Sequence, residues 1–313
     1  MTLTCGVDIG GTKIAGGVID EDGTILEELR VESPATDAEA IEEAVADLVK
    51  ELRSRHEITA VGVGAAGYVD KTRAIVMFAP NIAWRNVDLK SELEARVNLP
   101  VVIENDANAA AWGEFQFGAG HDVDDLLLVT VGTGVGGGVV LDGELYRGAF
   151  GAGAEIGHMR VVPDGIQCGC GNRGCFEQYA SGSAMVREAR AAAGGGSPSA
   201  RGMLDRAGGH VSGITGPLIT EAARDGDPFA LGQLATLGRW LGEGIASLAA
   251  VLDPAVVVIG GGVSEADELL LDPVRAAFTS QLVGPGLRPT LEIRKARLGN
   301  RAGLIGAADL ARR

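Results

Sequence analysis

Near the N-terminus, the stretch CGVDIGGTKIAGGVIDEDGTIL sets apolar residues in short runs, broken first by glycines and then by an Asp-Gly pair. That pattern predicts strand, turn, strand, turn, strand. From Leu126, LLLVTVGTGVGGGVVLDGELY has the same layout. Aligned, Asp8, Ile9, Gly10, Gly11 and Thr12 face Thr130, Val131, Gly132, Thr133 and Gly134. The pairs Asp22-Gly23 and Asp142-Gly143 suit tight hairpin turns, which need positive φ. Helical patterns run from Ala38 to Arg53 and from Pro228 to Leu252. Each precedes an apolar strand that ends in glycines, ITAVGVGAAGYV and AVVVIGGGVSE. Two copies of a meander followed by helix and strand predict an α/β protein of two related lobes with a central cleft. In the first copy LPVVIENDANAAAWGEF reads as a strand over 101–104 running into a helix at Asn105-Asp106. The segment from Gly194 to Gly216, rich in Gly, Ser and Ala, reads as a mobile loop or irregular connection.

Composition narrows the function. A chain of 313 residues is long for a single core, which favours two domains. The 48 glycines point to many tight turns and close approaches of backbone to ligand. A net charge of −15 makes nucleic acid or an anionic membrane a poor partner. No stretch has the pattern of a secretory signal, and the most apolar run, AVVVIGGGV, is too short to span a bilayer. A cytoplasmic protein is expected, in a compartment where clustered cysteines bind metal more often than they pair.

The glycine turns suggest phosphate. GTGVGG at Gly132 matches the dinucleotide pattern G-x-G-x-x-G, but a strand and hairpin follow it where that fold needs a helix. There is no G-x-x-x-x-G-K-[ST] motif. What remains is one glycine-rich β-turn in each lobe, DIGGTK and VGTGVGGG, whose backbone N–H groups can meet a polyphosphate. Asp8 stands where a phosphate-bound Mg²⁺ would want a carboxylate, through water.

Asp106 lies at the C-terminal end of a predicted strand, the usual place for a ligand in an α/β sheet. A plain helix cap explains one polar residue there, yet Glu104, Asn105, Asp106 and Asn108 fall together. A second cluster is His158, Cys168, Cys170 and Cys175, one imidazole and three thiolates. Four such ligands close a tetrahedral, structural zinc site with no open position. A disulfide knot leaves one of the three cysteines over. A nucleic-acid zinc ribbon would carry a basic stripe, whereas Arg160 and Arg173 are offset by Glu155, Asp164 and Glu177. Cys5 reads as an ordinary buried thiol.

Four stretches, VDIGGTK at the start, ENDANAAAWGE from Glu104, EIGH from Glu155 and CGCGNRGCFEQYASG from Cys168, together resemble the ROK family of bacterial sugar kinases and repressors. The chain looks closest to the glucose kinases of that family, and the likeness runs from the first strand to the last helix. The resemblance implies an actin-like ATPase (ribonuclease H-like) fold. It implies a small lobe over residues 1–107 and 299–313, and a large lobe over 108–298 that carries the zinc loop. It further implies transfer of the γ-phosphoryl group of ATP, with Mg²⁺, to the 6-hydroxyl of glucose; mannose, fructose and N-acetylhexosamine are alternative acceptors. Sugar-sensing regulators of the family carry an added N-terminal helix-turn-helix, for which a strand starting near Leu3 is expected to leave no room. Polyphosphate-dependent relatives lack the cysteine cluster.

By that resemblance Asp106 matches the general base. Asn105, Glu155, His158 and Glu177 match residues that hydrogen-bond the sugar, and Gly67 a backbone contact to it. One ring nitrogen of His158 would bind zinc and the other a sugar hydroxyl. ATP is expected at Gly11, Thr12 and Lys13, at Gly132, Thr133 and Gly134, and at Gly261 and Gly262. A homo-oligomer, dimer or tetramer, is expected by analogy. No motif marks the adenine site.

Overall fold

A computed structural model of the protein describes residues 2–79, 82–284, 286–287 and 289–313. The first meander is β1 (Leu3–Ile9), β2 (Lys13–Ile19) and β3 (Ile25–Glu32), followed by α1 (Ala38–Arg53) and β4 (Ile58–Ala65). A small sheet of β5 (Tyr68–Val69), β6 (Val76–Phe78) and β7 (Arg85–Val87) precedes α2 (Leu89–Val97), β8 (Val101–Asn105) and α3 (Asp106–Phe117). The second meander is β9 (Leu126–Val131), β10 (Val135–Leu141) and β11 (Glu144–Tyr146). After it come α4 (Glu177–Ala180), α5 (Gly182–Gly194), α6 (Arg201–Arg206), α7 (Gly216–Arg224) and the long α8 (Pro228–Leu252). The chain closes with β12 (Val256–Gly260), α9 (Glu268–Gln281), β13 (Glu292–Lys295) and α10 (Ala302–Leu310).

The two large sheets have the same strand order, β3-β2-β1-β4-β8 and β11-β10-β9-β12-β13. The repeat in the sequence is thus a repeat of topology. Even the hairpins agree residue for residue with the alignment: β1 ends at Ile9 and β9 at Val131, and β2 and β10 begin at Lys13 and Val135. The Asp-Gly turns differ. Asp142 and Gly143 both have positive φ, 51° and 76°, and close a two-residue hairpin between Leu141 and Glu144. At the first pair only Gly23 does, at 77°, and the loop is longer because the Asp20 carboxylate accepts the N–H groups of Asp22 and Thr24.

Contacts divide the chain into two compact units. Unit 1 is Met1–Leu128 with Gly137–Glu155 and Ala296–Arg313; unit 2 is Val129–Gly136 with Ile156–Lys295. In unit 1 the apolar stripe Ile41, Val45, Leu48 and Leu52 of α1 joins the core of the first sheet. Helix α10 lies on β1 and β4, where a side chain is impossible: a Cβ on Gly6 would stand 2.0 Å from the Leu304 carbonyl oxygen, and one on Gly62 1.7 Å from that of Ala307. In unit 2, α8 packs on α9 at two glycines: a Cβ on Gly238 would stand 2.6 Å from the Pro273 Cβ, and one on Gly242 2.4 Å from the Val274 carbonyl oxygen. The Gly194–Gly216 segment is more ordered than its composition suggests. It contains α6 and short 3-10 turns, held by the buried side chains of Ala200, Met203 and Ile214. Among the described residues no helix is long and apolar enough to cross a membrane.

Candidate active site

In unit 1, three parallel strands bring their C-terminal ends together: Asp8 of β1 is in register with Gly64 of β4, and Gly64 with Glu104 of β8. Asn105 caps α3; its side-chain oxygen accepts the Asn108 N–H at 3.0 Å, while its amide nitrogen donates to the Gly67 carbonyl at 3.1 Å. The capping role therefore falls to Asn105 and leaves Asp106 to be explained. Asp106 opens the helix, accepts the Ala107 N–H at 2.9 Å, and is pushed above the ordinary carboxylate range by burial. Asp8 is pushed up to about 6, first by burial and then by the charge of Asp106. Two glycines border these residues. A Cβ on Gly64 would lie 3.8 Å from the Asp106 Cα, and one on Gly303 3.8 Å from the Asp8 Cγ. The first glycine turn closes with the Gly10 N–H on the Lys13 carbonyl at 3.0 Å, and Gly11, Thr12 and Lys13 stand exposed on it. Glu155 belongs to the same unit.

In unit 2 the second turn closes with the Gly132 N–H on the Gly134 carbonyl at 3.0 Å, and the Gly132 carbonyl accepts the Gly182 N–H at 2.8 Å. Gly261, at φ 84°, lets the end of β12 pass β9; a Cβ there would sit 2.5 Å from the Val131 carbonyl oxygen. Gly132, Thr133 and Gly262 border a cavity of about 950 Å³ whose apolar wall is Met185, Val186 and Pro217. Helices α5 and α7 supply that wall. Sequence reading missed it, because an apolar face on a surface helix looks the same whether it meets a core or a ligand.

The cysteine loop lies in the same unit. Backbone bridges pair Arg160 with Cys175 and Gln167 with Arg173, and the Cys168 N–H donates to the Asn172 carbonyl at 2.8 Å. Gly174, at φ 77°, would carry a Cβ 1.7 Å from the Val162 carbonyl oxygen. The ligand atoms of His158, Cys168, Cys170 and Cys175 lie within 4.8 Å of one another. Cys168 Sγ is 3.7 Å from His158 Nδ1, and Cys170 Sγ 3.6 Å from Cys175 Sγ. Metal–sulfur bonds of about 2.3 Å in a tetrahedron give edges of about 3.8 Å, whereas a disulfide needs about 2.05 Å. The spacing fits ligands around one metal ion and not a disulfide. Glu177 touches two predicted sites at once: its Oε1 accepts from Cys168 Sγ at 3.2 Å, and its Oε2 would stand 2.7 Å from a Cβ on Gly134. Cys5 is buried in β1 and pushed up to about 12, an inert thiol as expected.

The ROK family model matches residues 4–313. The chain is 53% identical over 312 residues to the glucokinase of Streptomyces coelicolor, covering 100% of this chain and 98% of that one. It is 37% identical to the glucokinase of Thermotoga maritima, covering 97% and 96%. The crystal structure of a ROK family glucokinase from Streptomyces griseus in complex with glucose and AMPPNP superposes with a TM-score of 0.91, at 54% identity over 99% of both chains. The repeated sheets are therefore those of the actin-like ATPase fold. With sequence, topology and family model in agreement over nearly every residue, the chain belongs to the ROK family.

Proposed function

We propose that the chain is an ATP-dependent glucokinase that transfers the γ-phosphoryl group to the 6-hydroxyl of glucose, with Asp106 as the general base. One observation carries most of this reading. Asp106 is a half-buried carboxylate directly after a parallel strand, in a chain 54% identical over almost its whole length to a glucokinase bound to glucose and AMPPNP. The attacking hydroxyl becomes acidic as its O–P bond forms, so a carboxylate suffices, and burial makes this one a stronger base. Asn105, Glu155, His158 and Glu177 would fix the hydroxyl directions of the sugar. Gly67 would contribute backbone, and its carbonyl already holds the Asn105 amide.

For the nucleotide, the proposed contacts are Gly11, Thr12 and Lys13 in one turn, Gly132, Thr133 and Gly134 in the other, and Gly261 and Gly262 after β12. The cavity bordered by Gly132, Thr133 and Gly262 gives adenosine an apolar wall. Asp8 would hold Mg²⁺, which would supply positive charge beside the nucleotide phosphates. Asp8 fits it, because a half-buried carboxylate pushed up by the charge of Asp106 gains from a nearby cation. For the cysteine cluster the proposed ion is zinc in a structural role, with His158 Nδ1 turned to the sulfurs and Nε2 left for the sugar. A cytoplasmic homodimer or homotetramer is proposed by family analogy.

The test is ADP release against a panel of glucose, mannose, fructose and N-acetylhexosamines. Glucose should give the highest kcat/KM. A higher value for another hexose moves the substrate assignment, and no sugar-dependent release rejects the kinase reading.

A further inference from the structure

Glu104 stands just before Asn105-Asp106 and is 2% exposed. Its Oε1 accepts the Asn105 N–H and the Asn108 side-chain amide, both at 3.1 Å. Its Oε2 accepts Arg147 Nε at 2.7 Å, and Arg73 Nε stands 3.8 Å away. Arg147 follows β11 on the run of chain that leads to Glu155. One carboxylate thus joins the end of β8, the first turn of α3 and the approach to Glu155, all inside unit 1.

Every partner of Glu104 is a donor, so both oxygens must accept, which only a carboxylate can do. Gln would aim its NH₂ either at Arg147 or at Asn105 and Asn108, and one link would break. Helix α3 does not need this group for its cap, because Asn105 already provides one. Arg73 is a secondary partner: its Nη2 donates to the Leu310 carbonyl at 3.1 Å, and its Nε stays 3.8 Å from Glu104 Oε2, outside hydrogen-bond range, where Arg147 Nε is at 2.7 Å.

We propose that Glu104 and Arg147 are a positioning pair for phosphoryl transfer. They hold Asp106 and Glu155 in a fixed mutual arrangement, and neither touches substrate. This rests on the kinase reading and names residues that reading does not use. A purely stabilising ion pair makes a different prediction, because replacing both partners of a buried pair often restores stability where replacing one does not.

The experiment compares the wild-type enzyme with Glu104→Gln, Arg147→Met and the double variant, each measured for Tm, kcat and KM for glucose and for ATP. Arg147→Met should lower Tm sharply, and the double variant should regain most of that loss. In Glu104→Gln and in the double variant kcat should stay about 10- to 100-fold down, the size expected of a small misplacement of reacting groups, with KM for ATP within about twofold. A double variant whose kcat returns with its Tm overturns the proposal and leaves a structural pair. If neither Arg147 variant folds, Glu104→Gln decides alone, and wild-type kcat there overturns the proposal. A wild-type enzyme without glucose-dependent turnover instead overturns the kinase reading, and the positioning role falls with it.

Discussion

Asp8→Asn should make the ligand-free protein more stable at neutral pH while disabling the enzyme. The folded structure moves the Asp8 carboxyl from 3.8 to about 6, through burial and through the charge of Asp106. At about 1.36 kcal/mol per pH unit, holding that charge costs at most about 3 kcal/mol above pH 6, and less to the extent that water reaches the half-buried side chain. The sign follows from proton binding. The folded state holds the Asp8 proton more tightly than the unfolded chain does, so the stability this group contributes is complete below about pH 4 and is lost as the pH rises through about 6. Asn has no proton to lose. Thermal unfolding from pH 4 to pH 8 without nucleotide should therefore give two curves that diverge through pH 4–6, with the variant several degrees higher at pH 7. Mg-ATP should raise the Tm of the wild type more than that of the variant, because the carboxylate that repels Asp106 would serve the cation. Parallel curves across the whole range would refute the buried-charge reasoning, and wild-type turnover by the variant would refute the assignment of Asp8 to the nucleotide.

Gly62→Ala would put a methyl 1.7 Å from the Ala307 carbonyl oxygen, so α10 must lift from β4. A loss of about 1–3 kcal/mol or more is expected, read as a fall in Tm; an unchanged Tm would contradict the seating of that helix. Metal analysis of purified protein should find zinc at one ion per chain. Chelation should then lower Tm and abolish glucose binding, since the loop it shapes ends in His158 and Glu177, and unchanged glucose affinity in metal-free protein would refute the link.

Local chemistry made much of this molecule legible from sequence. The two meanders declare themselves because glycine turns and Asp-Gly pairs punctuate short apolar runs, and the structure returns the same strand ends and the same sheet order. The cysteine cluster is legible because its ligands crowd into one loop. What stayed hidden depends on contacts between distant residues. Arg147 meets Glu104 across 43 positions, and no spacing rule links them. Likewise Gly6 and Gly62 look like ordinary strand glycines until α10, more than two hundred residues on, is laid against them. Segment 194–216 misleads in the other direction. Its Gly and Ser content suggests an irregular connection, yet a few buried side chains such as Met203 suffice to order it. Asn105 and Asp106 both looked fit to cap α3, and only the hydrogen bonds separate the cap from the candidate base.

Asp106 as the base is tested most directly by Asp106→Asn, with glucose binding measured by isothermal titration and turnover in the same preparation. Glucose affinity should stay within about threefold of wild type, while kcat falls by about 10²- to 10⁴-fold, the range for loss of a positioned proton acceptor. A variant that binds glucose and turns over at a near-normal rate would contradict the mechanism proposed for this site.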